Sequence, residues 1–365
     1  MDTDFYMLWL SNIYGVGRKK IFQLLKYFKT PKNIWSADSV ELSKIEGVKY
    51  ETVMKIIKSR NEDNIYKIIE NMDKDNINFI SYFDDKYPKS LKNIYDPPLG
   101  LYIKGTMPDD GLERISIIGT RRCTEYGKSV GFNIAKDLGE RNFVIVSGMA
   151  RGIDTVAHKG AIAGKGKTIA VLGNGVDICY PSENRSLMEK IINNGCVISE
   201  YPPKTAPLSY NFPARNRIIS GLSRAVVVVE AGLNSGTFST VESALENGRD
   251  VFAVPGNITS KYSAGTNELI KQGCPPITSF DDILFELGIS YEEEEKEKYI
   301  NENSENMSDD EKAVYEFLSL EPVSVDEIVN KLKKDITEIQ YILFTLEISG
   351  YIQKLPSMKY IRKLS

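Results

Sequence analysis

The chain has 365 residues, of which 42% are hydrophobic and 26% are charged, and these proportions are typical of a globular protein with two or three domains. No apolar run approaches the roughly 18 residues that a membrane span needs, so we expect a cytoplasmic protein with no membrane contact. The formal net charge of −4 argues against a nucleic-acid binder, but much of the negative charge lies in 291–298 and 308–311, and a solvated linker contributes little beyond about 10 Å.

The four cysteines are widely spaced and form no Cys-x-x-Cys pair. This spacing argues against a zinc site, and in a reducing compartment it argues against disulfides. We predict that these residues are buried small hydrophobes: Cys123, Cys179, Cys196 and Cys274.

Residues 1–75 are rich in Ile, Leu, Lys and Asn at helical spacing, which predicts a small all-α domain. Within it, Ile13–Gly17 followed by Arg18-Lys-Lys is typical of a helix-hairpin-helix turn, whose glycine amides can contact a phosphate. A second copy, Ile45–Lys49, has lysine where the later glycine is expected. Two interpretations stay open for this segment, DNA contact and plain packing.

Short apolar runs alternate with helical stretches from residue 76 to 288. Continuous Val, Ile and Leu runs are expected of parallel strands covered by helices on both faces. The sequence therefore predicts an α/β, Rossmann-like, mostly parallel sheet. The predicted strands are Phe79–Tyr82, Leu99–Ile103, Ile115–Ile118, Phe143–Val146, Thr168–Leu172, Cys196–Ile198, Ala225–Val229 and Asp250–Ala253.

Glycine follows several of these strands, at Gly119, Gly148, Gly173 and Gly232. The carboxyl ends of parallel strands meet at one edge of an open sheet, which is where such sheets bind ligands. Arginines and hydroxyl side chains accompany the glycines, a combination that favours phosphate binding at helix starts.

The segment Asn211–Gly221 concentrates two arginines, two amides and one aromatic before an apolar strand. Guanidinium and amide groups can hydrogen-bond to phosphates, and the ring of Phe212 can stack on a base. An alternative for Arg215 and Arg217 is an ion pair with Glu200 or Glu230 that holds the sheet edge together.

The acidic segment 289–307 reads as a linker, and residues 308–365 read as a winged-helix domain. Helices are predicted at Asp309–Leu320, Val325–Lys333 and Ile336–Ser349, followed by a hairpin around a turn at 356–358. Asp335 with Glu338 is a plausible cap for the third helix. That helix carries few basic residues, so both DNA reading and protein docking stay open for it.

Enzymatic interpretations are harder to support. Gly166–Thr168 ends like a P-loop but lacks the earlier glycine, and His158 is the only histidine. The strand-end acids are scattered singly rather than paired as two-metal chemistry requires, and Asp154 is more simply a helix cap. We predict no catalytic residue, cofactor or metal.

The phrases Ser147–His158, Thr168–Asp177, Ile198–Pro202, Asn211–Gly221 and Gly248–Gly256, in this order, resemble the DprA/Smf family (DNA-processing protein A). The resemblance runs from about residue 79 to 285. It implies a homodimeric single-stranded DNA-binding protein that protects incoming DNA and loads RecA recombinase in natural transformation and recombination. A single-strand-binding protein is a further partner that it suggests.

The resemblance also implies that Gly119-Thr120-Arg121 lies in a positive pocket for the DNA backbone and that Lys167 matches a basic position there. Some relatives carry a lysine where this chain has Ser209. A rival is a phosphoribohydrolase of the lysine-decarboxylase-like class, whose phosphate loop is partly echoed by Asn234–Glu242. The predicted DNA-binding residues are Gly119, Thr120, Arg121, Arg122, Ser147, Gly148, Arg151, Gly152, Lys165, Lys167, Asn211, Phe212, Arg215, Asn216, Arg217, Gly236 and Thr237.

Overall fold

The computed structural model describes residues 2–289, 307–318, 322–349, 351–355 and 359–362. The chain divides into two compact units, Met1–Gly288 and Ile289–Ser365. Among the described residues, no helix is both long enough and apolar enough to cross a membrane. The predicted acidic linker lies almost entirely outside these residues, and the four-part division at 75, 288 and 307 stays a prediction.

An eight-stranded sheet organises the first unit, in the order β1-β2-β6-β5-β4-β3-β7-β8. The strands from β6 to β8 are parallel, whereas β1 and β2 are added antiparallel at one edge. The mostly parallel α/β sheet predicted from the sequence is confirmed. The strands are β1 (Asn78–Ser81), β2 (Gly100–Gly105), β3 (Arg114–Ile118), β4 (Val144–Ser147), β5 (Thr168–Val171), β6 (Cys196–Ser199), β7 (Ala225–Val228) and β8 (Asp250–Ala253).

Helices cover the sheet, and the central strands are fully buried, as their unbroken apolar runs predict. The helices after β1 are α7 (Lys89–Lys92), α8 (Glu125–Glu140), α9 (Ile153–Ala163), α10 (Arg185–Asn194), α11 (Asn211–Leu222), α12 (Phe238–Glu246), α13 (Ala264–Lys271) and α14 (Phe280–Glu286), with a 3-10 turn at Ser182–Asn184.

The first 75 residues are helical, as predicted, and belong to the same compact unit as the sheet. Their buried side chains form one hydrophobic cluster with residues of the sheet, and Asn12 donates to the Tyr102 hydroxyl at 2.8 Å. Gly15 and Gly47, in the two predicted hairpin turns, both have φ of +73°, a conformation that glycine adopts without strain. The helices are α1 (Asp2–Ser11), α2 (Arg18–Phe28), α3 (Pro31–Ser36), α4 (Ser39–Ser43), α5 (Tyr50–Lys58) and α6 (Glu62–Lys74).

The second unit has the predicted winged-helix arrangement. Asp335 caps its third helix by accepting from the Thr337 amide at 2.8 Å, but Glu338 pairs with Lys334 rather than completing a capping box. The predicted turn at 356–358 and the end of the first helix, 319–320, lie outside the described residues. The elements are α15 (Asp309–Phe317), β9 (Val323–Ser324), α16 (Val325–Leu332), α17 (Ile336–Ile348), β10 (Ile352–Leu355) and β11 (Lys359–Arg362).

Candidate nucleic-acid interface

The candidate site lies where the order of strands reverses direction on either side of β3. Strands β4, β5 and β6 continue on one side of β3, while β7 and β8 lie on the other. At such a switch point the loops after the two diverging strands separate and open a crevice at the carboxyl edge. The glycine and arginine motifs after β3 and β4 lie at this edge, as predicted.

The loop after β3 carries Gly119, Thr120, Arg121 and Arg122. Its backbone is anchored because the Thr120 amide donates to the Glu230 carbonyl at 2.7 Å. A Cβ at Gly119 would lie 2.8 Å from the same carbonyl oxygen, so only glycine fits this close approach. The side chains of Arg121 and Arg122 are exposed, and among the described residues no carboxylate pairs with either of them.

The Glu230 carboxylate fixes the end of the same loop. This side chain is buried, and it accepts from the Thr124 amide at 2.9 Å and from the Thr124 hydroxyl at 2.5 Å. Thr124 in turn caps α8 by accepting from the Gly127 amide at 3.1 Å. The sheet thus holds the loop rigidly while the two arginine heads stay in solvent.

The loop after β4 packs directly on the loop after β3. Gly152 has φ of +74°, and a Cβ there would lie 2.3 Å from the Thr120 carbonyl oxygen. The Ser147 hydroxyl donates to the Ile117 carbonyl at 2.7 Å, so Ser147 is structural here. Arg151 is 63% exposed and forms an ion pair with Glu183.

Asp154 does not cap α9 as the sequence suggested, because the helix begins after Gly152. Its carboxylate points inward instead and accepts from the Ala150 amide at 3.3 Å. Burial raises its pKa, which Arg215 opposes. Asp154 therefore stabilises the loop after β4 from its buried side.

The Asn211–Gly221 segment is helical and forms most of α11, which precedes β7. Pro213 fits because it lies in the first turn, where amides have no partner within the helix. Phe212 is partly exposed, while Asn211 is buried. Asn216 donates to the Ser239 hydroxyl at 2.8 Å and so ties α11 to α12.

Arg215 lies buried beneath the Phe212 ring. Its guanidinium donates to the Gly148 carbonyl at 2.8 Å and to the Val171 carbonyl. Burial lowers its pKa to about 10, with Asp154 opposing the shift and the like charge of Arg121 adding to it. Arg215 therefore keeps its positive charge at neutral pH and contributes to the field at the crevice.

For Arg217 the alternative predicted from the sequence, an ion pair with Glu200, is confirmed. The two side chains pair at 2.7 Å and are 10% and 4% exposed. Arg18 at the start of α2 joins the same cluster, at 2.6 Å from both Glu200 and Asp96. Burial opposes ionisation of Asp96, but its hydrogen bond to Arg18 and the nearby charges lower its pKa overall. Direct DNA contact by Arg217 stays an untested prediction.

Lys165 and Lys167 were expected beside the arginine loop, and this placement is wrong. Both precede β5, and the Lys167 carbonyl accepts from the Ile145 amide near the start of β4. They therefore lie at the amino edge of the sheet, opposite the loops that follow β3 and β4. The β-α-β connection explains the difference, since α9 returns the chain to the far edge before β5 begins.

The loop before α12 carries the remaining predicted residues. Gly236 is exposed, whereas Thr237 is buried at the helix start and its amide donates to the Ser235 hydroxyl at 3.2 Å. Glu242, the acid of the rival phosphate-loop motif, is exposed on α12.

The sequence reasoning missed two exposed side chains at this edge, Tyr180 and Glu183. Tyr180 lies in the loop after β5, and its ring centroid is 5.5 Å from that of Phe212. The signal was available, because Gly173 had already marked this loop as part of the carboxyl edge. Arg18 was also missed as a partner of Glu200, since 182 residues separate the two.

The single histidine is structural. His158 Nδ1 lies 2.7 Å from the Thr168 hydroxyl, and burial lowers the histidine pKa to about 3. The cysteine prediction holds fully only for Cys196, whose burial raises its pKa to about 12; the other three cysteines are half-buried, and all four are free. Within the described ranges, no group of three or more His, Cys, Asp or Glu side chains could hold a metal ion.

Comparisons with known proteins identify the family of this chain. The family model of DNA recombination-mediator protein A matches residues 78–288, and that of the DprA winged helix domain matches 301–358. Protein Smf of Synechocystis sp. is 33% identical over 395 residues, covering 99% of each chain. The DNA processing protein DprA of Streptococcus pneumoniae is 46% identical over 207 residues, covering 57% of this chain and 73% of that protein.

Two solved structures share the fold. The crystal structure of DprA from Streptococcus pneumoniae has a TM-score of 0.69 at 36% identity, covering 78% of this chain and 99% of that one. DNA processing protein A from Helicobacter pylori, for which a single-stranded DNA binding mode is described, has a TM-score of 0.52 at 31% identity. That match covers 58% of this chain and 95% of the Helicobacter chain.

Proposed function

Because this chain belongs to the DNA recombination-mediator protein A family, we propose that it is a non-catalytic, single-stranded DNA-binding protein of DNA processing and recombination. The observation that carries the proposal is the carboxyl edge of the sheet. There Arg121 and Arg122 project into solvent from a rigid loop, beside the partly exposed ring of Phe212.

The geometry suits a nucleic-acid backbone with unpaired bases. The Arg121 guanidinium carbon lies 5.8 Å from the Phe212 ring centroid, and that of buried Arg215 lies 6.0 Å from it. Guanidinium groups bind phosphate oxygens in bidentate fashion, and a ring face stacks on any base. Such contacts carry little base identity, so we expect weak sequence preference.

Rigidity of the loops supports the same function. Glu230 and Thr124 hold the loop after β3, while Arg215 and Asp154 brace the loop after β4. A pre-organised loop loses little conformational freedom when it binds, and this raises affinity.

The test compares Arg121→Met with the parent chain by fluorescence anisotropy on a labelled single-stranded oligonucleotide across a salt series. Each phosphate contact contributes about −0.7 to the log–log salt slope on single strands. Losing one charge-assisted contact should weaken binding about tenfold or more. The log–log salt slope should become less steep by about 0.7. Parental affinity and slope in Arg121→Met would remove the phosphate pocket from this edge.

A nucleoside monophosphate competitor distinguishes the DNA proposal from the rival nucleotide enzyme. A polymer site extends over several nucleotides, so the monophosphate should compete poorly. Strong competition together with weak DNA binding would favour the phosphoribohydrolase-like interpretation and direct attention to Glu242.

We further propose, from the family resemblance, a cytoplasmic homodimer that protects incoming DNA and loads RecA recombinase in natural transformation, with single-strand-binding protein as a further partner. Light scattering tests the dimer. RecA filament formation on oligonucleotides coated with single-strand-binding protein, with and without this chain, tests the loading. A monomer at micromolar concentration, or unchanged filament formation, would contradict these two proposals respectively.

The terminal segments have separate expectations. On α17 the exposed side chains include Tyr341, Phe344 and Ile348, and none of these has the guanidinium or amide group that makes bidentate hydrogen bonds to base edges in a major groove. We therefore favour protein docking over DNA reading for the winged-helix unit. For the hairpin turns at Gly15 and Gly47, DNA contact and plain packing both stay open.

A further inference from the structure

Tyr180 stands next to Phe212 although the two residues come from different parts of the chain. Tyr180 follows β5, whereas Phe212 lies in the first turn of α11, and their ring centroids are 5.5 Å apart with 34° between the ring planes. Tyr180 is 44% exposed. The ring of Tyr180 is therefore accessible from solvent, whereas neighbouring side chains cover the faces of an aromatic ring in the core.

The Phe212 ring is held in a fixed position. A Cβ on Gly173 would lie 2.9 Å from Phe212 Cδ1, so the absence of a side chain at Gly173 lets the ring settle against the loop after β5. The guanidinium groups of Arg121 and Arg215 approach the ring as well. Tyr180 therefore meets a partner that has little freedom to move.

Charge also accompanies the second ring. Arg151 pairs with Glu183, and its pKa is raised first by that hydrogen bond and further by the charge of Glu183 and the nearby Tyr180 hydroxyl. Exposed Arg121 lies beside the Phe212 ring, and exposed Arg151 pairs with Glu183, which follows Tyr180 by three residues in the chain.

We propose that Tyr180 is a second base-stacking residue, which forms with Phe212 a two-ring platform for two unpaired bases. The inference rests on the proposed function and adds a contact and a source of strand selectivity to it. Bases inside a duplex are covered on both faces by their neighbours, so an exposed ring can stack only on a base that is free. The tilt of 34° between the rings also differs from the parallel stacking of duplex bases.

The experiment uses the full chain with Tyr180→Leu, which removes the ring, and Tyr180→Phe, which keeps it. Stacking on one base supports a loss of about 5- to 100-fold in single-strand affinity for Tyr180→Leu. The log–log salt slope should stay parental, because no phosphate contact is lost. Tyr180→Phe should bind within about twofold of the parent, since the ring face is retained.

Oligonucleotides with abasic sites provide a second, independent measurement. They keep every phosphate but remove bases, so the parent should bind them more weakly, and Tyr180→Leu should lose less on this change than the parent does. If circular dichroism shows that Tyr180→Leu is poorly folded, the binding of intact and abasic strands is compared between the parent and Tyr180→Phe instead.

The outcomes separate this inference from the function on which it rests. Parental affinity in Tyr180→Leu, or equal binding of abasic and intact strands by the parent and Tyr180→Phe, overturns the platform. If Arg121→Met is still weakened in that case, the proposed function stands without the platform. Parental binding by both variants overturns both proposals.

Discussion

Arg121 and Arg217 look equivalent in the sequence, yet the structure predicts opposite consequences for their loss. Arg217 forms a buried bidentate pair with Glu200, with both guanidinium nitrogens at 2.7 Å from the carboxylate oxygens. Its Nε donates to the Asp96 carbonyl at 2.8 Å. Together with Arg18 these side chains form a cluster of two cations and two anions, which links α2 and α11 to the strand ends.

In Arg217→Met the two carboxylates would share Arg18 alone. Removing one partner of a buried ion pair typically costs about 3–5 kcal/mol of unfolding free energy. We expect the lower part of that range, about 3–4 kcal/mol, because Arg18 stays within reach of both acids. This is a large share of the roughly 5–15 kcal/mol that stabilises most domains.

Urea denaturation followed by tryptophan fluorescence measures this loss in the right unit, since the chain has two tryptophans, Trp9 and Trp35, and both lie in the first unit. The matched control is Arg121→Met, an exposed site where we expect a change within about 0.5 kcal/mol. The reasoning fails if Arg217→Met unfolds like the parent, and it fails most clearly if that variant instead loses single-strand affinity as Arg121→Met does.

Two further predictions concern titration and charge. Burial lowers the pKa of His158 to about 3, so below about pH 6.5 the unfolded chain binds a proton there that the folded chain does not. The unfolding free energy should then fall with decreasing pH, by about 1.4 kcal/mol per unit from this residue. If the unfolding free energies of the parent and His158→Gln change equally with pH between pH 5 and 7, this prediction is contradicted. Glu183→Gln frees Arg151 from its ion pair and should tighten single-strand binding up to about fivefold at low salt; weaker binding by anisotropy would instead give Glu183 a positioning role.

The sheet could be predicted because its strands are continuous apolar runs, and the eight predicted strands correspond to β1–β8. Gly119 and Gly148 were placed correctly for the same reason, since a residue that directly follows a parallel strand lies at the carboxyl edge. Lys167 was assigned to the arginine pocket from the family resemblance, and the structure places it at the opposite edge of the sheet. The helix between Arg151 and Lys167 carries the chain across the full depth of the sheet.

Side-chain burial was the part that the sequence left open. The arginines and amides of Asn211–Gly221 are all groups that can bind phosphate, and the sequence does not show which of them face solvent. Helix formation decides among them, because it turns Arg215 and Arg217 toward the sheet and leaves Phe212 at the edge. Tyr180 could not be paired with Phe212 from the sequence, since their contact depends on how the loop after β5 meets the first turn of α11.

The proposed DNA site is compatible with a net negative charge because the arginines of this chain fall into two classes. The buried arginines are neutralised or solvated by the protein itself, Arg217 by Glu200 and Arg215 by backbone carbonyls, so they fix the geometry of the loops. The exposed arginines carry the charge that a phosphate would meet, and at a Debye length of about 10 Å the acidic groups elsewhere contribute little to that field. Net charge therefore measures the wrong quantity for this protein. In the proposed site, Glu230 and Thr124 hold the loop that carries the exposed arginines, whereas the buried cluster of Arg18, Arg217, Asp96 and Glu200 contacts neither of those arginines. We therefore predict that damage to the buried cluster weakens DNA binding only through loss of the fold.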